Sequence, residues 1–140
     1  MILMRWPELG CQVRVKLLDD INPELCDILL ARLPLTSIQS HAVVCGEQMY
    51  FPFAAPAVPA AAYFENMASQ PAGRMNIEPK FHYLSVNYGP NHEAVPALAV
   101  AQVLEEDLGM LRTVGRLVWD NLLFSTEYLH VVLDRLKEGA

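Results

Sequence analysis

Proton transfer near neutral pH is the chemistry this sequence is best equipped for, because it contains four histidines: His41, His82, His92 and His130. His41 falls in a predicted strand, and the next predicted strand carries Glu47 and Tyr50. An imidazole, a phenol and a carboxylate that converge can exchange protons with a substrate. We therefore expect His41, Tyr50, His82 and Glu47 to be catalytic. The open alternative is that each histidine is exposed or forms a structural hydrogen bond.

Four further residues are candidates for substrate binding: Arg74, Tyr88, His92 and Phe51. Arg74 begins a predicted strand, and its guanidinium could hold a carboxylate through two parallel hydrogen bonds, or it could be an exposed edge residue. His92 lies in a turn, where polar residues serve function more often than in a core.

Recognised cofactor and nucleophile motifs are missing from the sequence. The histidines lack the His-Glu-x-x-His spacing of zinc sites, and the glycines are isolated, without the clusters that hold phosphates. The Gly-x-Ser-x-Gly elbow of serine hydrolases is also missing. We expect neither a metal nor a cofactor. The three cysteines are widely spaced, which favours reduced thiols over disulfides.

Charge and hydropathy restrict the partners. The net charge is −6 and no basic cluster stands out, which argues against nucleic acid and anionic membrane surfaces. No apolar run reaches the length of a membrane helix, and Met1–Met4 precedes Arg5, the reverse of a secretory signal. We therefore expect a cytoplasmic protein that binds a small molecule.

Residue periodicity predicts a β-rich chain with two helices. Alternation of polar and apolar residues, turn residues and helix-capping signals place the elements. The expected strands are 12–18, 37–44, 47–53, 73–78, 81–88 and 97–104, and the expected helices are 23–33 and 105–125. Strand 97–104 is also long enough to be a helix. Residues 126–136 alternate like a strand but also continue the helical stripe, so both assignments stay open.

The chain is predicted to be a single domain over 1–140, since 140 residues with 53% hydrophobic content suit one core. Residues 1–10 are expected to be loosely held. Residues 54–72 form a long loop rich in alanine and proline, which could cover a pocket or contact a second subunit. We therefore expect a homo-oligomer, with a pocket walled by strands 37–44, 47–53 and 81–88 beneath this loop.

The order of these elements resembles that of the bacterial cyclophilin-like proteins. The residues that carry the resemblance occur in family order: Gly46-Glu47-Gln48-Met49-Tyr50-Phe51-Pro52, Glu65-Asn66, Gly73, Tyr88-Gly89-Pro90 and Val100-Ala101-Gln102-Val103-Leu104-Glu105-Glu106-Asp107-Leu108-Gly109-Met110. The resemblance implies a mainly β fold, a cyclophilin-like antiparallel β-barrel with two covering helices. The Phe-His-Arg and Gln-Gly-Gly motifs of prolyl isomerases are missing, so that activity is not expected.

One branch of these proteins, cucumopine synthase, is similar around Tyr88-Gly89-Pro90 and around Gly115-Arg116-Leu117-Val118-Trp119. That resemblance implies general acid–base condensation of an amino acid with a 2-oxo acid, through an imine and ring closure and without a redox cofactor. The alternative function is a non-catalytic ligand-binding or oligomeric interaction module of the same fold.

Overall fold

Antiparallel strand pairing dominates the computed structural model, which describes residues 1–55 and 57–137. The strands are β1 Ile2–Trp6, β2 Cys11–Leu17, β3 Leu35–His41, β4 Gly46–Pro52, β5 Glu65–Asn66, β6 Arg74–Glu78, β7 Tyr83–Asn91, β8 Pro96–Val103 and β9 Leu129–Arg135. The helices are α1 Pro23–Ala31 and α2 Leu108–Phe124. In the described part of the chain, neither helix is long and apolar enough to cross a membrane.

Eight of these strands close into a barrel in the order β2-β1-β9-β3-β4-β7-β6-β8. The barrel closes where β2 pairs with β8, with Val15 opposite Val103, and the short β5 adds to the start of β8. Closure gives both edges of the sheet a hydrogen-bonding partner. The predicted fold class, a mainly β antiparallel barrel with two helices, is confirmed.

The barrel interior is filled by alternate residues of each strand, as the two-residue period of a strand requires. Met49 and Phe51 point inward from β4, and Leu84, Val86 and Tyr88 point inward from β7. All five are buried and belong to one continuous hydrophobic core. Phe51 is therefore a core residue with no exposed surface.

Helix α2 packs across the barrel through a stripe formed by Leu111, Val114, Gly115 and Val118. Leu122, four residues after Val118, is 42% exposed and does not extend this stripe. The helix lies mainly against β3 and β2 and also contacts β7 and β4. This crossing brings residues 116–120 of the helix close to the ends of β3 and β7.

The N-terminal segment belongs to the sheet, so the expectation that residues 1–10 are loosely held is wrong. Residues Ile2–Trp6 form β1, which pairs with β2 on one side and β9 on the other. Ile2, Met4 and Trp6 are fully buried. The indole Nε1 of Trp6 donates a hydrogen bond to the side chain of Gln39, at 2.9 Å. Short apolar segments can thus form central strands when both neighbours supply backbone partners.

Residues 129–135 are a strand, which decides between the two assignments open for 126–136 in favour of β. β9 pairs with β1 and β3, and its residues Leu129, Val131 and Leu133 point into the core. The alternation of these side chains was the better signal, because a helix here would leave β1 and β3 without their shared neighbour.

The 54–72 segment is less irregular than predicted, because it contains β5 and a 3-10 turn at Met67–Ser69. The side chain of Asn22 holds this segment: its amide donates to the carbonyl of Tyr63 and accepts from the Tyr63 N–H, at 3.0 and 2.8 Å. Asn22 directly precedes α1, but its side chain makes no capping bond to the helix. Its hydrogen bonds to Tyr63 instead attach the 54–72 loop next to α1.

Replacement of Met4 tests the role of β1. Met4→Ala should lower the free energy of unfolding by about 2–5 kcal/mol, because it removes a fully buried side chain from a packed core. Urea denaturation measures the change. The neighbouring variant Leu3→Ala should lose less, since Leu3 is already partly in water. Equal stability of both variants and the unmodified chain would contradict this account.

Candidate functional site

A cleft of about 460 Å³ opens between α2, the end of β3 and the adjoining parts of β4 and β7. The side chains that give it chemical character are His41, Glu47, Tyr88, Arg116, Trp119 and Asp120. The connection from β3 to β4 completes the wall with small and branched apolar residues, Ala42 to Val44. The cleft therefore combines acid–base groups, both signs of charge and an aromatic surface.

His41 and Tyr88 form a buried pair at the base of this cleft. Nε2 of His41 lies 2.7 Å from the Tyr88 hydroxyl oxygen, and the two side chains are almost wholly buried. Nδ1 of His41 lies 2.6 Å from the carbonyl oxygen of Ala42. A carbonyl oxygen only accepts, so Nδ1 carries a proton and donates it. In the neutral ring Nε2 then accepts a hydrogen bond from the Tyr88 hydroxyl.

Burial keeps both members of the pair neutral. It lowers the pKa of His41 below the ordinary 6.5, opposed by the hydrogen bond to Ala42 and the charge of Glu47. Burial also raises the pKa of Tyr88 above 10; the Glu47 charge adds to this effect and Arg116 opposes it. At neutral pH the pair is an imidazole that can accept a proton and a phenol that can donate one.

Two glycines, Gly115 and Gly89, allow close packing within the site. A Cβ on Gly115 of α2 would lie 2.5 Å from the ring of Tyr88, and a Cβ on Gly89 would lie 1.8 Å from a carboxylate oxygen of Glu47. Real side chains do not approach so closely. Tyr88 can therefore pack against the helix backbone, and Glu47 can lie across β7, only because both positions lack a side chain.

Helix α2 supplies three cleft residues that the sequence did not single out as catalytic or binding: Arg116, Trp119 and Asp120. The centroid of the Trp119 ring is 4.8 Å from that of His41. The available signal was their spacing, since residues three and four apart share one helix face. This face lies beside the buried stripe of α2, so its side chains lie next to the strand ends that the helix crosses.

Of the four predicted catalytic residues, the structure brings His41 and Glu47 into the cleft. Tyr50 lies on the opposite face of β4 from Met49, and its ring contacts that of Tyr83 at 5.3 Å. His41 pairs with Met49 in the sheet and shares its inward direction. The expectation that the Tyr50 phenol converges with the His41 imidazole is therefore wrong.

His82 is also separated from His41. It was expected inside the predicted strand 81–88. The strand β7 begins at Tyr83, and His82 lies in the preceding turn, exposed, with a φ of +53°. The expectation is wrong because the turn before β7 extends through residue 82.

Among the predicted binding residues, Tyr88 lies in the cleft. Arg74 instead forms an ion pair with Glu65, with two contacts of 2.9 Å. His92 follows β7 and is exposed, and its backbone N–H donates a hydrogen bond to the carbonyl of Cys45 at 2.8 Å. Phe51 is in the core. The structure therefore does not bring Arg74, His92 and Phe51 to the His41 cleft.

The 54–72 loop does not cover this cleft. Its described residues contribute nothing to the cleft wall, and part of it lies against α1, where Pro59, Ala61 and Ala62 face Pro23 and Leu25. The expectation of a lid over the pocket is wrong, since Asn22 holds the loop elsewhere. Within residues 1–55 and 57–137, no three His, Cys, Asp or Glu side chains are grouped to hold a metal ion.

Two glycines of α2 provide a matched test of the Tyr88 contact. Gly115→Ala should lower the free energy of unfolding by about 1–3 kcal/mol, because the added methyl overlaps the Tyr88 ring. Gly109→Ala meets no neighbour within 4 Å and should be neutral or gain up to about 1 kcal/mol of helix propensity. Thermal or urea denaturation measures both. Equal effects would show that α2 does not depend on this contact.

The lowered pKa of His41 predicts an acid-sensitive component of stability. Below pH 6.5 the unfolded chain binds a proton at His41 that the folded chain resists, so stability rises with pH in this range. The contribution is complete above pH 6.5 and is lost as the pH falls from there through the lower folded-state pKa.

Denaturation midpoints at a series of mildly acidic pH values measure this component. His41→Gln should remove the corresponding slope, whereas His82→Asn, at an exposed position, should keep it. A slope that is the same in His41→Gln would contradict the assignment.

Comparison with known proteins identifies solved structures that are similar to this chain. The chain matches no protein-family model and no curated protein. It is similar to the solved structure of McbB in complex with tryptophan, with 32% identity and a TM-score of 0.92. The match covers 100% of this chain and 46% of the McbB chain, so this chain spans about half the length of that protein.

The fold also resembles the solution structure of a hypothetical protein from Archaeoglobus fulgidus, with 14% identity and a TM-score of 0.54. This match covers 97% of this chain and 95% of that one, and it bears on the fold alone. The barrel is thus shared with a protein whose structure holds a small molecule, tryptophan.

Proposed function

We propose that the His41 cleft binds an aromatic amino acid, with tryptophan as the first candidate, and catalyses acid–base chemistry at its amine without a redox cofactor. The observation that carries the proposal is the buried 2.7 Å contact between His41 and Tyr88 at the base of an open cleft. The similarity to tryptophan-bound McbB supports the choice of ligand.

The charges of the cleft suit a zwitterion. Arg116 is the cation that can face the carboxylate, while Glu47 and Asp120 can face the ammonium group. Trp119 and the exposed valines Val43 and Val44 offer an aromatic and apolar surface for a ring. A volume of about 460 Å³ falls in the usual range for small-molecule sites.

The reaction we propose is condensation with a 2-oxo acid, as in the opine-forming enzymes that the sequence resembles. The ammonium group first gives a proton to the Glu47 or Asp120 carboxylate, and the free amine attacks the keto carbon. The resulting carbinolamine loses water to give an imine. Loss of water needs a proton on the departing hydroxyl, which the Tyr88–His41 pair can deliver. Ring closure forms a bond between an atom of the substrate's aromatic ring and the imine carbon. That ring atom loses a proton, and the former imine nitrogen gains one.

Neutral His41 or the Glu47 carboxylate can accept the proton from the ring. The lowered pKa of His41 keeps its base form present down to below pH 6.5. The acidic limb of the rate profile should therefore lie below that value. The homo-oligomeric state belongs to the same proposal, since exposed Leu122, Leu123 and Tyr128 could form a subunit contact. The kinship with cyclophilin-like proteins, which rests on the order of the elements, is also part of it.

The test is to incubate the protein with tryptophan and a panel of 2-oxo acids and to follow product by mass spectrometry. The expected product has the summed mass of both substrates minus one water. His41→Gln and Tyr88→Phe should each lower the rate by about 10²–10⁴-fold, the usual size of a general acid–base contribution. Trp119→Ala should raise the Kd of tryptophan about five- to tenfold through loss of aromatic contact.

His82→Asn and Phe124→Ala are the matched controls, because both residues are exposed outside the cleft. Unchanged rates in His41→Gln and Tyr88→Phe would refute the acid–base assignment. Tryptophan binding that depends on Trp119, with no product from any 2-oxo acid, would leave the alternative of a non-catalytic ligand-binding module. That alternative is consistent with the satisfied hydrogen bonds of the His41–Tyr88 pair.

A further inference from the structure

A further cleft of about 350 Å³ lies on the other side of the β3–β4 connection. It shares Ala42, Val43 and Val44 with the His41 cleft, but its other walls are different. They come from the outward face of β4, the start of β7 and the turn before it, and the residues after β7. The side chains that define it are Gln48, Tyr50, Phe81, Tyr83 and Glu93.

Three aromatic rings form a continuous surface in this cleft. The ring centroids of Tyr50 and Tyr83 are 5.3 Å apart, and those of Tyr83 and Phe81 are 6.3 Å apart with nearly parallel planes. Phe81 is 64% exposed, an unusual position for a phenylalanine. Its ring already attracts one cation, since Nζ of Lys80 lies 5.4 Å from the ring centroid.

The charge lining this cleft is negative. Glu93 contributes a carboxylate, and no Lys, Arg or His is among the described residues that line the wall. Glu93 forms no salt bridge with any described side chain. Its backbone N–H donates a hydrogen bond of 2.9 Å to the side-chain oxygen of Asn91. The side-chain amide of Asn91 in turn donates a hydrogen bond to the side-chain oxygen of buried Asn87. The carboxylate is therefore attached to a fixed backbone.

The electrostatics of Tyr83 are consistent with this negative surface. Burial, followed by the charges of Glu78 and, more weakly, Glu93, raises the pKa of Tyr83 to about 12. The phenol therefore remains neutral at physiological pH. A neutral aromatic ring keeps its electron-rich face, which attracts cations, and nearby carboxylates increase that attraction.

We propose that the cleft formed by Tyr50, Phe81, Tyr83 and Glu93 is a binding site for a small organic cation, an amine or a quaternary ammonium group. The cation would rest on the aromatic surface, with its charge facing Glu93. The site is separate from the His41 cleft and does not depend on the function proposed there.

Choline is a suitable probe, and 3,3-dimethyl-1-butanol is its neutral counterpart of nearly the same shape. The full chain is titrated with each, and the aromatic NMR signals of Tyr50, Phe81 and Tyr83 are followed. Choline should bind at millimolar concentration and at least about fivefold more tightly than the alcohol, because only choline gains the cation–π attraction. Phe81→Ala and Glu93→Gln should each weaken choline binding about two- to fivefold.

Phe124→Ala and Glu24→Gln are the matched controls, because they remove an exposed ring and an exposed carboxylate elsewhere. Both should leave the Kd of choline unchanged. Equal binding of choline and the alcohol would overturn the cation site. Choline binding that is insensitive to Phe81→Ala and Glu93→Gln, or an absence of binding at millimolar concentration, would overturn it as well.

Discussion

The contact between α2 and the barrel at Gly115 is the constraint on which the His41 cleft depends. A helix can lie flat against an aromatic ring only where it has no side chain, and Gly115 meets the Tyr88 ring at such a point. Because Tyr88 is held there, its hydroxyl reaches His41. The same crossing brings the Trp119 ring into a tilted contact with the imidazole, with their centroids 4.8 Å apart. One small residue thus fixes the arrangement of three larger ones.

Burial gives this arrangement its chemistry. An imidazole removed from water resists protonation, and a phenol removed from water resists ionisation, so the pair is neutral although each member could carry charge. Glu47 influences both, supporting a proton on His41 and on Tyr88. The absence of a side chain at Gly89 leaves the space in which the Glu47 carboxylate lies.

Much of the barrel could be predicted from local patterns, because strands that are half buried must alternate. Segments such as β2 and β8 were expected within one or two residues of their observed bounds. The N-terminal strand was missed, since five residues without a preceding turn carry little periodic signal. Its burial comes from pairing with β9, which is far away in the sequence.

The site was only partly predictable for a related reason. His41 and Tyr88 are 47 residues apart, and their contact depends on strand register and helix crossing, which no local pattern specifies. Tyr50 was assigned to the site because the inward direction of His41 was not known. The helix residue Trp119 lies within a predicted helix, but the sequence does not specify which strand ends that helix would meet.

The connection between β3 and β4 has a thermodynamic consequence. Val43 and Val44 are walls of two clefts at once, one on each side of the same few backbone bonds. Any molecule that repositions these valines from one side changes the shape available on the other. Linkage then requires that the influence be mutual: if occupancy of the first cleft alters affinity at the second, the second alters the first by the same factor.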